Sequence, residues 1–266
     1  VAGIDERRRK RLESFFCRSP GADFAWKLDR VWRPEITLKE GNVLKLYGFA
    51  ASNYFNMVQL ALLEKQLPFQ AVPLHGCQNP EVLAISARGK VPVLGTSEGF
   101  ISETDVILRY LEEISTSRPL TPADPFARAQ MWTIAKEIEL YIELPARLCY
   151  VEVIFGGRPT PPDLRAKARR DLIKGFAALA QRACFAPYLT GEQFTLADIY
   201  FLYTVDLAQR VGQEMFDLDL LGRLPGARAL LDHLGANPNV QKVAADREAD
   251  WPRFMARVQA VARAAG

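Results

Sequence analysis

The 266-residue chain is poor in the side chains that staple or metallate a fold, with only four cysteines (Cys17, Cys77, Cys149, Cys184) and two histidines (His75, His233). No C-x-x-C occurs, and no Cys/His spacing matches a metal site, so neither a disulfide scaffold nor a metal centre is expected. A reducing, cytoplasmic setting is the expectation that follows. Also missing is any apolar run near the ~20 residues that a bilayer-crossing helix needs, which argues against a membrane protein. Charge of one sign is scarce as well. The net +3 resides in residues 1–42, with ten Lys/Arg against seven Asp/Glu, whereas residues 43–266 carry 24 of each. A basic nucleic-acid-binding surface is therefore not expected. What is present is ordinary for a folded protein: 49% hydrophobic and 24% charged residues, in a length that allows one large or two modest domains.

Residues 1–42 show no sustained period and combine a basic run from Arg7 to Arg11 with Pro20, Gly21 and Pro34. They read as an extension outside the fold, and their seven acidic residues count against a targeting peptide. Regular pattern begins at Val43. Residues 43–49 alternate as a strand, and residues 54–65 repeat apolar side chains at helical spacing until Pro68. A second strand is expected over 69–74 and a short helix from Pro80 to about Ala87. A proline-interrupted strand over 91–94, a hairpin partner at Phe100-Ile101 and a helix over 104–114 follow. This βαβαββα order defines a first domain at 43–115. Breaker-rich residues 116–125 read as a linker, and residues 126–266 as an all-helical second domain. Its helices are expected at 126 to about 153, 163–184, 196–211, 225–234, 239–245 and 252–264.

A proline within an apparent strand removes a ladder donor, and a cis bond at Val91-Pro92 is one way to accommodate it. In this order of elements, Gly89-Lys90-Val91-Pro92-Val93-Leu94 resembles the segment before the third strand of thioredoxin-fold proteins, in the form used by glutathione transferases. Three more segments agree with that family. Leu46-Tyr47-Gly48 with Ser52 and Val58 is similar to the first strand, catalytic loop and first helix of its serine-type members. Ser102-Glu103-Thr104-Asp105-Val106-Ile107 with Tyr110-Leu111 is similar to the third helix, and Phe194-Thr195-Leu196-Ala197-Asp198-Ile199 to a C-terminal helix start. The resemblance spans residues 43 to about 250.

The resemblance implies a thioredoxin-like domain with a mixed four-stranded sheet followed by a helical domain. It implies a homodimeric glutathione transferase that joins the thiolate of reduced glutathione, its co-substrate, to a small electrophilic, largely apolar substrate, with no metal or other cofactor. Ser52 is implied as the catalytic hydroxyl. Val91 and Pro92 would hold the cysteinyl backbone, Glu103 and Thr104 the γ-glutamyl end, and Lys90 a ligand carboxylate. Asn53, Tyr54 and Tyr47 are alternative thiol-stabilising groups. The residue types suit the chemistry: a free thiol near pKa 8.5 is mostly protonated at pH 7, and a hydroxyl donor beside a helix N-terminus favours the thiolate. A scaffold protein with little catalysis, or a glutathione-dependent reductase or isomerase, would use the same residues.

Simpler roles compete for several of them. Ser52 has the chemistry of a helix N-cap, and Ser102 with Asp105 the spacing of a capping box. Thr195 and Asp198 form another capping box, assigned to folding. Ile134, Ile138, Tyr141, Leu144, Leu148 and Val151 lie near helical spacing, and most of them are expected in the core.

Overall fold

The computed structural model describes residues 43–265, with side chains through residue 260. The expected extension, 1–42, lies outside the described residues. A four-stranded sheet in the order β2-β1-β3-β4 is formed by β1 (Leu44–Gly48), β2 (Phe69–Pro73), β3 (Val93–Gly95) and β4 (Phe100–Ser102). β1 runs parallel to β2 and antiparallel to β3, and β3 runs antiparallel to β4. β1 follows the alternation of its sequence, with Leu44 and Leu46 buried and Lys45 exposed.

Helix α1 (Asn53–Glu64) packs on the sheet beside α3 (Thr104–Ile114), while a short helix, α2 (Pro80–Leu83), bridges β2 and β3. Phe55, Met57, Val58, Leu60 and Leu62 are all buried, because helices of the second half cover the face of α1 that the sheet does not. A helix apolar all round is stable only where it is enclosed. Between α2 and β3, Gly89 adopts φ +61°, and a Cβ there would lie 2.0 Å from the Cys77 carbonyl oxygen, so only glycine fits this turn.

The second half begins with α4 (Pro125–Ile138). Residues 126–153 do not form the single helix expected from their pattern. α4 passes into a π-helical turn at Glu139–Glu143, then α5 (Leu144–Arg147), a break, and α6 (Tyr150–Val153). Pro145 supplies the reason. It has no N–H for the Tyr141 carbonyl, and the Leu144 N–H bonds back to Glu139 instead. The wider turn rotates the buried face onto Ile142, Ala146 and Cys149, leaving Tyr141, Leu144 and Val151 exposed, against the core positions expected for them. Gly175 of α7 (Pro162–Arg182) abuts the released carbonyl, where a Cβ would lie 2.3 Å from Tyr141 O.

Helix α8 (Leu196–Phe216) runs through the middle of the core. Its capping box is present: Asp198 accepts from the Thr195 N–H at 2.8 Å and from the Leu189 N–H at 2.7 Å. After α9 (Ala227–Gly235), the two expected final helices are one element, α10 (Pro238–Ala265), which carries Pro252 within it. Pro252 faces solvent, so the carbonyl it leaves without a helical partner is not sealed in the core. Lys65, 3% exposed, bonds Glu112 at 2.7 Å, and Glu112 also accepts from Leu120 and Thr121. The pair clamps the end of α1 to the segment leading into α4. No described helix is long and apolar enough to cross a membrane.

Candidate active site

Register brings the residues singled out in the sequence to one end of the sheet. Tyr47 pairs with Val93, and Val93 with Ser102. Since β1 and β3 are antiparallel, the exit of β1 toward Ser52 adjoins the entry to β3 at Lys90, Val91 and Pro92. Since β3 and β4 are antiparallel, that entry adjoins the exit of β4 at Glu103 and Thr104. Tyr47 itself turns away from this end, with its ring 5.9 Å from that of Phe100 and close to Gly95.

Ser52 is the N-cap of α1, with φ −85° and ψ 120°, and its Oγ accepts from the Phe55 N–H at 3.4 Å. That contact is long for a hydrogen bond. It uses Oγ only as an acceptor, so the hydroxyl proton stays available to a further acceptor at the positive end of the helix. Capping and donation are thus compatible in one side chain.

The amide of Asn53 is committed elsewhere. Its Nδ2 donates to Glu143 Oε1 at 3.1 Å and to the Tyr203 carbonyl at 3.3 Å, while its Oδ1 accepts from Arg147 Nη2 at 3.0 Å. Both amide protons are used within the protein. Glu143 is fully buried, and its two oxygens are shared among Asn53, the Arg147 guanidinium and Tyr150 Oη, the last at 2.8 Å. Arg147 lies between two rings, 5.1 Å from Tyr54 and 5.2 Å from Tyr150. Burial, followed by the nearby Glu143 charge, holds both phenols well above the usual tyrosine range. Tyr54 therefore stays neutral, packed beneath the guanidinium.

At the start of α3, Glu103 adopts φ +70° and ψ 122°, a conformation that costs a non-glycine residue roughly 1–3 kcal/mol. No side chain caps this helix, and Asp105 pairs with Lys136 at 3.0 Å instead of closing the expected box with Ser102. The first-turn N–H groups are left without a side-chain acceptor, with Thr104 buried and Glu103 exposed beside them. The Val91-Pro92 bond is cis, Pro92 is buried, and the exposed Lys90 anchors its own N–H on Ser86 Oγ at 3.0 Å.

The C-terminal helix α10 lies over the Ser52 loop. Asp250 accepts from the Ala51 N–H at 3.1 Å, Asp246 from Gln59 at 2.7 Å, and the ring of Phe254 stacks on Phe49 at 5.2 Å. Phe49 also meets His75 at 4.6 Å. Beneath α10, Ser52 and Asn53 face a small cavity that Arg147, Tyr150, Arg247 and Trp251 also line.

Comparison with known proteins is consistent along the chain. Residues 46–119 match the family described as glutathione S-transferase, N-terminal domain, and residues 162–233 the family described as glutathione S-transferase, C-terminal domain. A glutathione S-transferase of Pseudomonas putida is 52% identical over 217 residues, covering 82% of this chain and 98% of the relative. The chain belongs to the glutathione S-transferase family. A zeta-class glutathione S-transferase of Euphorbia esula is 32% identical over 78% of the chain and 92% of its own length. The crystal structure of a maleylacetoacetate isomerase from Anaeromyxobacter dehalogenans superposes with TM-score 0.61 at 25% identity, covering 77% of this chain and 96% of the other.

Within this transferase fold, the residues that sequence reasoning missed come from the helical half: Glu143, Arg147, Arg247, Asp250 and Trp251. One signal was available, a Glu143/Arg147 pair at i,i+4 inside an otherwise apolar stretch. Such a pair reads as a solvated surface bridge until Asn53 is seen to reach it.

Proposed function

We propose that this chain conjugates reduced glutathione to small electrophiles. The observation that carries the reading is the convergence, at one end of the sheet, of the Ser52 hydroxyl at the start of α1, the Val91 backbone before cis Pro92, and the uncapped start of α3 at Glu103 and Thr104. A tripeptide thiol lies across these three points. Its γ-glutamyl carboxylate meets the free N–H groups and Thr104 hydroxyl of α3, with Glu103 toward the ammonium group. Its cysteinyl backbone pairs with Val91 as an added strand, and Lys90 reaches a carboxylate. The sulfur then sits against Ser52 Oγ and the N-terminus of α1.

Lowering the thiol pKa by two units takes roughly 2.7 kcal/mol of differential stabilisation, which a hydroxyl donor and a helix terminus together supply. The thiol proton leaves to solvent and the thiolate forms a bond to the electrophilic carbon. In an aryl halide, the halide departs with the bonding pair. Asn53 and Tyr54 support the loop and leave the sulfur to Ser52.

The working unit in this proposal is a cytoplasmic homodimer. Its support is the exposure of Phe100, Val106 and Phe126, apolar side chains on β4, α3 and the start of α4. Likeness to a maleylacetoacetate isomerase favours a second reading, isomerisation through a transient glutathione adduct at the same site. The deciding experiment combines retention on immobilised glutathione with turnover of 1-chloro-2,4-dinitrobenzene. Binding and turnover support conjugation, binding alone supports a scaffold, and loss of both overturns the reading.

A further inference from the structure

The cavity beside Ser52, about 80 Å³, is lined by two guanidinium groups, those of Arg147 and Arg247, and by no carboxylate among the described residues. The two cations differ. Arg147 is committed to Glu143 and Asn53. Arg247, half-buried on α10, has no carboxylate within salt-bridge distance among the described residues, and its guanidinium lies 5.8 Å from the Trp251 ring. The acidic residues flanking it on α10 are engaged elsewhere: Asp246 holds Gln59 and Lys242, and Asp250 holds the Ala51 N–H. Glu248 and Asp206 line a separate groove of about 740 Å³, which has Arg247 and Trp251 as a shared wall. A half-buried cation facing a cavity without a counter-ion is stabilised when an anion enters.

We infer that Arg247 recognises a carboxylate on the electrophilic co-substrate. This deepens, and rests on, the glutathione reading of the Ser52 site. The cavity is small, about 80 Å³, and a carboxylate suits both its size and the two guanidinium groups on its wall. The acid group enters the cavity and the reacting carbon stays on the Ser52 side. The preferred electrophiles are therefore acids, in contrast to the largely apolar ones that the family resemblance implies.

The test compares 4-chloro-3-nitrobenzoate with neutral 1-chloro-2,4-dinitrobenzene, using the full chain. In both, a carbon–sulfur bond replaces the carbon–chlorine bond and chloride leaves with the electron pair. In Arg247→Gln, the ratio of kcat/KM for the acid to that for the neutral substrate should fall about tenfold or more, the scale of one charge-assisted hydrogen bond, while Arg247→Lys retains most of it. An unchanged ratio overturns the inference. Calorimetric titration with unreactive 3-nitrobenzoate and, separately, with glutathione gives an arm that needs no turnover. Weaker nitrobenzoate binding in Arg247→Gln supports the inference even if neither substrate reacts, an outcome that would sink the conjugation reading alone. Weaker glutathione binding with unchanged nitrobenzoate binding assigns the carboxylate to the tripeptide and overturns it.

Discussion

Arg147 Nη2 donates to Asn53 Oδ1 at 3.0 Å, across 94 residues of sequence. The residue after the proposed catalytic hydroxyl is thereby held by the helical half of the molecule. Glu143 completes the arrangement from the fully buried side, so the position of the α1 N-terminus depends on an ion pair outside the sheet domain.

Removing Arg147, whose side chain is 41% exposed, leaves Glu143 buried with only the Asn53 and Tyr150 donors, at a cost of about 1–3 kcal/mol. Arg147→Ala should lose stability on that scale in urea unfolding. Glu143→Gln combined with Arg147→Met should recover part of the loss, because no charge is then stranded. A single variant as stable as the wild type would show that the pair does not anchor the loop.

Ser52→Ala removes the hydroxyl but keeps the helix terminus. The pKa of enzyme-bound glutathione should rise by about one to two units, and the conjugation rate at pH 6.5 should fall about 10- to 100-fold, with glutathione affinity nearly unchanged. Ultraviolet titration of the bound thiolate measures the shift directly. A thiol pKa that stays low in this variant excludes Ser52 as the activator.

Asp198 carries more than a helix cap. It accepts from Thr195 and also from the Leu189 backbone, with no solvent exposure, and burial pushes its carboxyl up against the opposing pull of those hydrogen bonds. Asp198→Ala should cost about 2–4 kcal/mol, above the usual loss of a cap, because two backbone donors lose their acceptor. Thermal or urea unfolding of a variant with native circular dichroism checks this.

His75, packed on Phe49 where α10 meets the Ser52 loop, is held below the ordinary histidine pKa by burial and by Arg257, with Asp250 opposing. The native state resists protonation here, so the unfolded chain binds more protons just below pH 6.5. Stability should fall as pH drops through that value, and His75→Gln should flatten this part of the profile. Urea midpoints at pH 5.5 and 7.5 in both proteins make the comparison, and equal slopes would remove His75 as the cause.

Much of the fold was legible because its signals are local. The alternation in β1, the spacing in α1 and α3, the proline at 92 and the Thr195/Asp198 box depend on residues a few positions apart, and each appears in the structure. Reading 126–153 as one helix failed at Pro145. The missing N–H was visible there, but the π turn that absorbs it, and the resulting rotation of the buried face, depend on packing against α7 at Gly175.

By itself, the sequence determined the order of elements in the sheet domain, the family, and the three segments proposed to meet a tripeptide thiol. Periodicity and capping chemistry are written in neighbouring residues. Tertiary structure alone decided that Asn53 is spent on Glu143 and Arg147, that α10 is continuous through Pro252, and that Asp250 and Arg247 lie over the Ser52 loop. Those partners are 90 to 199 residues apart, and no local spacing specifies which distant carboxylate or guanidinium will satisfy a buried polar group once the chain is packed.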